Sequence, residues 1–334
     1  MSVMTKRERV LSTLRGADVD RVPVSFWGHD FIREWSAEGL AAAMLESVRT
    51  FDYDYLKVNP RATYYSEAWG CSYRPPRDPT IHPQVETWLL HAASDLEKVK
   101  PVAGTSGPFA EQLDALRLIG EGLGGEVPFV QTVFSPLSVV GRLANGQEPV
   151  RSWMTETPDA LHGVLDAVTE TLAAYSRACL DAGTDGIFFA TTEWATFDVL
   201  TWDQYEVFGK PYDLRVLEAV QGAPFNILHV CRPNNMLDRL LDYPAAAVSW
   251  AIHAPGNASL ADIQAKTDKA VMGGVDERHG LILGSPGDVR AQVVDALEQT
   301  GGRGFLLAPG CSISPQTPSA NLRAALEAAQ GAPA

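Results

Sequence analysis

Basic charge, long apolar runs and cysteine are all scarce in this chain of 334 residues. Lysine and arginine total 27 against 41 aspartates and glutamates, a formal net charge of −14, and no basic run offsets it. Such a surface repels a phosphate backbone, so nucleic acid is excluded as the expected partner. No apolar stretch approaches the roughly 20 residues that cross a bilayer. The opening MSVMTKRERVLSTLRG lacks the apolar core of a secretory signal. Four cysteines in so long a chain do not make a disulfide framework. The expectation is a cytoplasmic protein with reduced thiols that keeps away from membranes.

What is present is the alternation of an α/β protein. Hydrophobic residues make up 46% of the chain, enough for a sizeable core, and the length suits one large barrel. Apolar runs of strand length recur as DRVPVSFWGHD, DYDYLKVNP, PFVQTVFSP, TDGIFFATTEW, NILHVC, AAAVSWAI, KAVMGGVD and RGFLLAPG. Helical patterns separate the later ones: a long segment beginning TPDALHG, then WDQYEVFGKPYDLRVLEAVQG with a break at Pro211, NNMLDRLLDY, SLADIQAKTD and SPGDVRAQVVDALEQTG. About eight strands between helices predict a closed (β/α)8 TIM barrel, one domain over residues 1–334. The Pro- and aromatic-rich stretch from about Ala62 to Pro101 is expected to be an elaborated loop with short helices.

Barrel chemistry sits at the carboxyl ends of the strands. That rule collects His29, Asn59, Glu193, His229, Cys231, His253, Asp276 and Cys311. Among them, His229 and Cys231 stand two apart at the end of FNILHVC, and alternate strand residues share a face. Cys311 ends GFLLAPGC in a matching context. Two thiolates and an imidazole with a fourth position open suit a catalytic zinc, whereas a structural site wants a fourth protein ligand. The plain alternative is packing, since free cysteine often serves as a small buried hydrophobe. Cys71, after a Trp-Gly turn, and Cys179, within a helix, read as structural.

The order and spacing of three segments carry a resemblance. They are TKRERVLSTLRGADVDRVPV, then DAGTDGIFFA followed by YEVFGKPY, and the closing PGCSISPQTPSANLRAAL. Together they resemble the uroporphyrinogen decarboxylase superfamily over nearly the whole chain. The decarboxylases of that superfamily carry a Met-Arg-Gln-Ala-Gly-Arg pattern after the first strand, which grips the acidic groups of a tetrapyrrole. Here the stretch is SFWGHDFIREW, and Arg33 does not stand in the motif. The other branch, the methylcobamide:thiol and related corrinoid methyltransferases, has a His-x-Cys and a distant Pro-Gly-Cys. This sequence matches that pattern at His229, Cys231 and Cys311.

The resemblance therefore implies zinc on those three residues. It implies a methyl group moved between a corrinoid, such as methylcobalamin or a corrinoid on a partner protein, and a small thiol or methylated small molecule. The Asp-x-His-x-x-Gly signature of a cobalt-ligating histidine is absent, so the corrinoid is expected on a separate protein. Glu193 is the candidate proton acceptor or fourth ligand. His29, Asn59 and Tyr64 are candidate pocket residues, with Tyr65 and Trp69 as an aromatic wall. A metal-free decarboxylase of a tetrapyrrole or other carboxylate, and a non-catalytic binding protein, are the competing readings.

Overall fold

The computed structural model describes residues 3–331. Seven strands form one curled parallel sheet in which spatial order follows chain order. They are β1 (Leu56–Val58), β2 (Phe129–Phe134), β3 (Gly186–Ala190), β4 (Ile227–Val230), β5 (Ala247–Trp250), β6 (Ala270–Val275) and β7 (Phe305–Pro309). Parallel neighbours cannot be joined by a tight turn, so each connection crosses back over the sheet. Helices Pro108–Leu123, Pro158–Asp181, Lys210–Glu218 and Pro286–Thr300 lie in these crossovers. The last begins where Ser285 accepts the Asp288 backbone N–H, with Pro286 in its first turn. Among the described residues no helix is long and apolar enough to cross a membrane.

The two faces of the sheet are buried differently, as period-2 alternation requires. Tyr55, Val130, Phe188, Ile227, Ala247, Met272 and Leu306 pack with Trp27 in one interior cluster. Their neighbours Leu56, Ile187, Leu228, Val248, Val271 and Leu307 belong to the larger cluster shared with the helices. Both faces being apolar is why these strands read as continuous hydrophobic runs.

Seven of the eight expected strands form. The eighth, DRVPVSFWGHD, does not become a ladder: it makes isolated parallel bridges at Val24–Leu307 and Gly28–Ile313. The bonds that place it run to both edge strands' neighbourhoods, from Leu307 N to Pro23 O, Ser25 N to Leu307 O and Asp54 N to Val24 O. Pro23 has no N–H to offer, and the Val24 N–H is taken by the Asp54 carboxylate at 2.9 Å. A closed eight-stranded barrel is thus more than the hydrogen-bond ladders record.

Three smaller expectations need correction. NNMLDRLLDY forms only the short 3-10 turn Leu237–Arg239, because Asn234 sits at positive φ and the Asn235 side chain takes the Leu237 N–H. The helix break falls at Gly209, and Pro211 lies inside the first turn of the next helix. The irregular stretch contains, besides the short helix Tyr64–Glu67, an antiparallel hairpin of Ser72–Arg74 with Gln84–Thr87.

Asp54 fixes the junction of three segments. It is fully buried and accepts from Arg9 at 2.7 Å and Arg21 at 2.6 Å, besides Val24 N. Arg9 belongs to the helix Lys6–Leu14 and is itself 4% exposed. Arg9 keeps Asp20 as a second carboxylate at 2.6 Å, but removing Asp54 strips the charge-assisted hydrogen bonds from Arg9, Arg21 and the Val24 N–H, each typically worth about 1.5–3 kcal/mol. Asp54→Ala should therefore lower the denaturant midpoint by an amount corresponding to several kcal/mol; a midpoint within error of wild type would show that the junction does not depend on this carboxylate.

Candidate metal centre

His229 lies on β4 and is almost fully buried. Its strand register places it beside Ser249 of β5, and Nδ1 meets Ser249 Oγ at 3.1 Å. The tautomer that leaves a lone pair on Nε2 has the Nδ1–H donating to Ser249, so this contact also sets the direction of the free nitrogen. The Phe188 ring packs 4.8 Å from the imidazole. Two residues on, Cys231 takes the same face, with Sγ 2.8 Å from His229 Nε2.

Cys311 reaches the pair from the end of β7, with Sγ 3.4 Å from Cys231 Sγ. Its approach needs glycine at the preceding position. A Cβ on Gly310 would stand 2.7 Å from the Glu277 carboxylate and 3.2 Å from the Ala251 backbone. The segment after Cys311 is tied back by Ile313 N donating to Trp27 O at 2.9 Å. The ligand atoms of His229, Cys231 and Cys311 all lie within 4.8 Å of one another. This N,S,S set, with imidazole and thiolate reach of about 2.0–2.3 Å, fits a zinc-type ion.

Charge in the centre is shared unevenly. The Cys231 thiol, hydrogen-bonded to Cys311, is pushed up, and the same bond pulls Cys311 down, with His229 adding to the lowering. The loops around them are strained: Arg232, directly after Cys231, has φ of 75°, and Asn234 and Thr192 each have φ of 47°. Non-glycine residues persist there only when neighbours over-determine them. Asn257 Nδ2 donates to Arg232 O at 2.9 Å, and Thr196 Oγ1 donates to Pro233 O at 2.7 Å.

The other expected residues divide. Asn59 is brought to the centre: Ser312 Oγ, next to Cys311, donates to its Oδ1 at 3.3 Å. His29 stands beside that segment through the Gly28–Ile313 bridge, paired through Nδ1 with Glu34 at 2.8 Å and stacked on Phe31. Tyr64 is not at a pocket. It is fully buried, stacked on Tyr65 and hydrogen-bonded to Thr132 O and the Tyr175 hydroxyl. The aromatic wall is local packing, since Tyr65 also bonds Thr132 O and Trp69 Nε1 donates to Lys100 O. Glu193 lies half-buried in the loop after β3 and makes no hydrogen bond or ion pair among the described residues. His253 bonds Gly274 O, and Asp276 caps the turn through the Arg278 and His279 N–H groups. Cys71 and Cys179 are buried away from the centre, and burial pushes both thiols up.

Two residues escaped the sequence reading. Glu277, 8% exposed, presses its carboxylate against Gly310; burial and the neighbouring Cys311 push it up to about 7. Lys57 is buried on β1 with its ammonium over the Phe188 ring; burial pulls it down to about 8, against the opposing pull of Cys311, Cys231 and Glu34. A charge in the apolar run DYDYLKVNP, in phase with Tyr55 and Asn59, was the available signal for Lys57. For Glu277 the sequence offered only adjacent carboxylates, of which Asp276 turned out to cap a turn.

The uroporphyrinogen decarboxylase (URO-D) family model matches residues 5–332. The methylcobamide:CoM methyltransferase MtbA of Methanosarcina acetivorans is 25% identical over 99% of both chains. A uroporphyrinogen decarboxylase of Prochlorococcus marinus is 26% identical, but over 67% of this chain and 63% of its own. A solved methyltransferase from Methanosarcina mazei superposes with a TM-score of 0.84 at 25% identity, covering 97% of this chain and 98% of its own. The chain belongs to the uroporphyrinogen decarboxylase family, and its end-to-end similarity within that family is to methyltransferases.

Proposed function

We propose that this protein is a zinc-dependent methyltransferase that moves a methyl group between a corrinoid, carried by a partner protein, and a small thiol. The observation that carries the reading is the convergence of His229 Nε2, Cys231 Sγ and Cys311 Sγ within 4.8 Å. It occurs in a chain similar end to end to a methylcobamide:CoM methyltransferase. The architecture assumed is one closed barrel domain, with residues 22–28 in the eighth position. Four free thiols, two of them ligands, belong in a reducing compartment, so we place the protein in the cytoplasm.

A free alkyl thiol has a pKa of about 8.5 and is mostly protonated at neutral pH. Zinc held by His229, Cys231 and Cys311 would supply the acidity that makes such a thiol a thiolate. The chain's own residues do the rest. Ser249 fixes the His229 ring, and the two cysteines would offset a bound metal's charge and so keep an added sulfur electron-rich. Glu277, whose carboxylate lies against Gly310 beside Cys311, would take the proton that the incoming thiol gives up, with Glu193 as the alternative acceptor. His29, held by Glu34, and Asn59 line the approach.

Metal content of the purified protein is the first test, measured by elemental mass spectrometry beside a His229→Ala/Cys231→Ala control. About one zinc per chain, absent from the control, supports the site and predicts methyl transfer from methylcobalamin to a thiol. Zinc absent after reconstitution would sink the mechanism and return the decarboxylase reading. Cys311→Ser should lose most zinc and at least tenfold in rate while its circular dichroism stays native; full zinc retention removes Cys311 from the ligand set. Glu277→Gln should keep zinc yet slow turnover more than Glu193→Gln does, and the reverse order would restore Glu193 as the proton acceptor.

A further inference from the structure

Lys57 is a buried cation without a buried anion of its own. It is 4% exposed, on the interior face of β1. Among the described residues it makes no ion pair; its ammonium donates to Asn59 Oδ1 and lies 4.9 Å from the Phe188 ring and 5.8 Å from that of Trp27. Glu34, the buried carboxylate that acts on it, makes no ion pair with it: one oxygen is held by His29 at 2.8 Å and the other has no hydrogen-bond partner among the described residues. An ammonium out of water and short of hydrogen-bond acceptors is costly unless negative charge stands nearby.

Two short chains of contact lead from Lys57 to the metal centre. Phe188 touches both groups, with the ammonium 4.9 Å and the His229 ring 4.8 Å from its centroid. Asn59 accepts from Lys57 through the same Oδ1 that accepts from Ser312, whose neighbour is Cys311. Two cysteinates and a neutral imidazole around a divalent ion sum to no net charge. A third sulfur, arriving as thiolate, would leave one negative charge beside the half-buried cysteines. The charge on Lys57 is opposite in sign and equal in size.

We propose that Lys57 is a positioning residue, a fixed counter-charge that stabilises the thiolate-bound state of the centre without contributing to metal retention. The inference rests on the thiol reading above and extends it to a residue that touches neither metal nor substrate. Asn59 holds the ammonium at its station. Because the charge answers the sulfur and not the remainder of the substrate, its effect extends to thiols with or without an acidic tail.

The test measures thiol binding to zinc-loaded protein by calorimetry, with 2-mercaptoethanol as the neutral-tailed probe and 3-mercaptopropionate as the acid-tailed one. Lys57→Met deletes the charge. Lys57→Gln deletes the charge but keeps a polar group for the Asn59 side chain, and it carries the test where Lys57→Met melts early. Zinc content and melting temperature are read on both variants. The expected result is zinc kept at about one per chain and both thiols weakened roughly tenfold, the scale on which one unit charge acts on another at an effective dielectric of about 20. Unchanged affinity for both thiols overturns the proposal. Weakening of the acid-tailed thiol alone assigns Lys57 to the tail and also overturns it, as does loss of zinc from a variant that still folds. Failure of the wild-type zinc protein to bind either thiol overturns the thiol reading itself, and this inference with it.

Discussion

The contact between Ser249 and His229 joins two neighbouring parallel strands at the point where the interior turns from apolar to polar. Below it the same face is built from Phe225, Ile227, Ala247 and Ala270. Above it stand the two thiols. A buried imidazole needs a partner for its second nitrogen, and the strand register supplies one at 3.1 Å without any loop having to move. The ring direction that results aims Nε2 at Cys231, and from there Cys311 has one place to arrive. A slip of one residue between β4 and β5 would turn Ser249 away, leaving His229 to rotate and the donor set to open.

Charge is the second constraint on this interior. Glu34 holds His29 through one oxygen, Arg9 is shared between Asp20 and Asp54, Arg21 pairs with Asp54, and the thiols meet each other and His229. Lys57 and Glu277 are left with incomplete partnerships close to the thiols, and both have ionisation displaced toward neutral pH. Groups of this kind cluster where a fold must host a species that is present only part of the time. Against a formal net charge of −14 for the whole chain, the charges that face the centre are few and mixed in sign.

The loops after β3 and β4 show how such a centre is kept open yet rigid. Thr192, Arg232 and Asn234 take left-handed backbone conformations in adjacent loops, and side chains cross between them to hold the geometry. Rigidity here comes from hydrogen bonds between loops, whereas the sheet below is held by its two apolar faces. Phe197, more than half exposed at the outer edge of these loops, marks where the interior ends and solvent begins.

The sequence by itself determined the seven laddered strands, most of the crossover helices and the three metal candidates. Each is written in a local period: two for strands, near 3.6 for helices, and two again for His229 and Cys231. It did not determine the hairpin in the irregular stretch, the fate of the eighth strand or the position of Tyr64, because those were settled by competition for partners. Pro23 and the Asp54 carboxylate removed the donors an eighth ladder needed, and Tyr64 found Thr132 and Tyr175 from distant segments. Lys57 and Glu277 became part of the centre only when the sheet curled and brought β1, β6 and β7 around one space. No local pattern encodes that, since which of two adjacent carboxylates faces inward depends on the bend at Gly274, with φ of 113°, and on the side chain that Gly310 lacks.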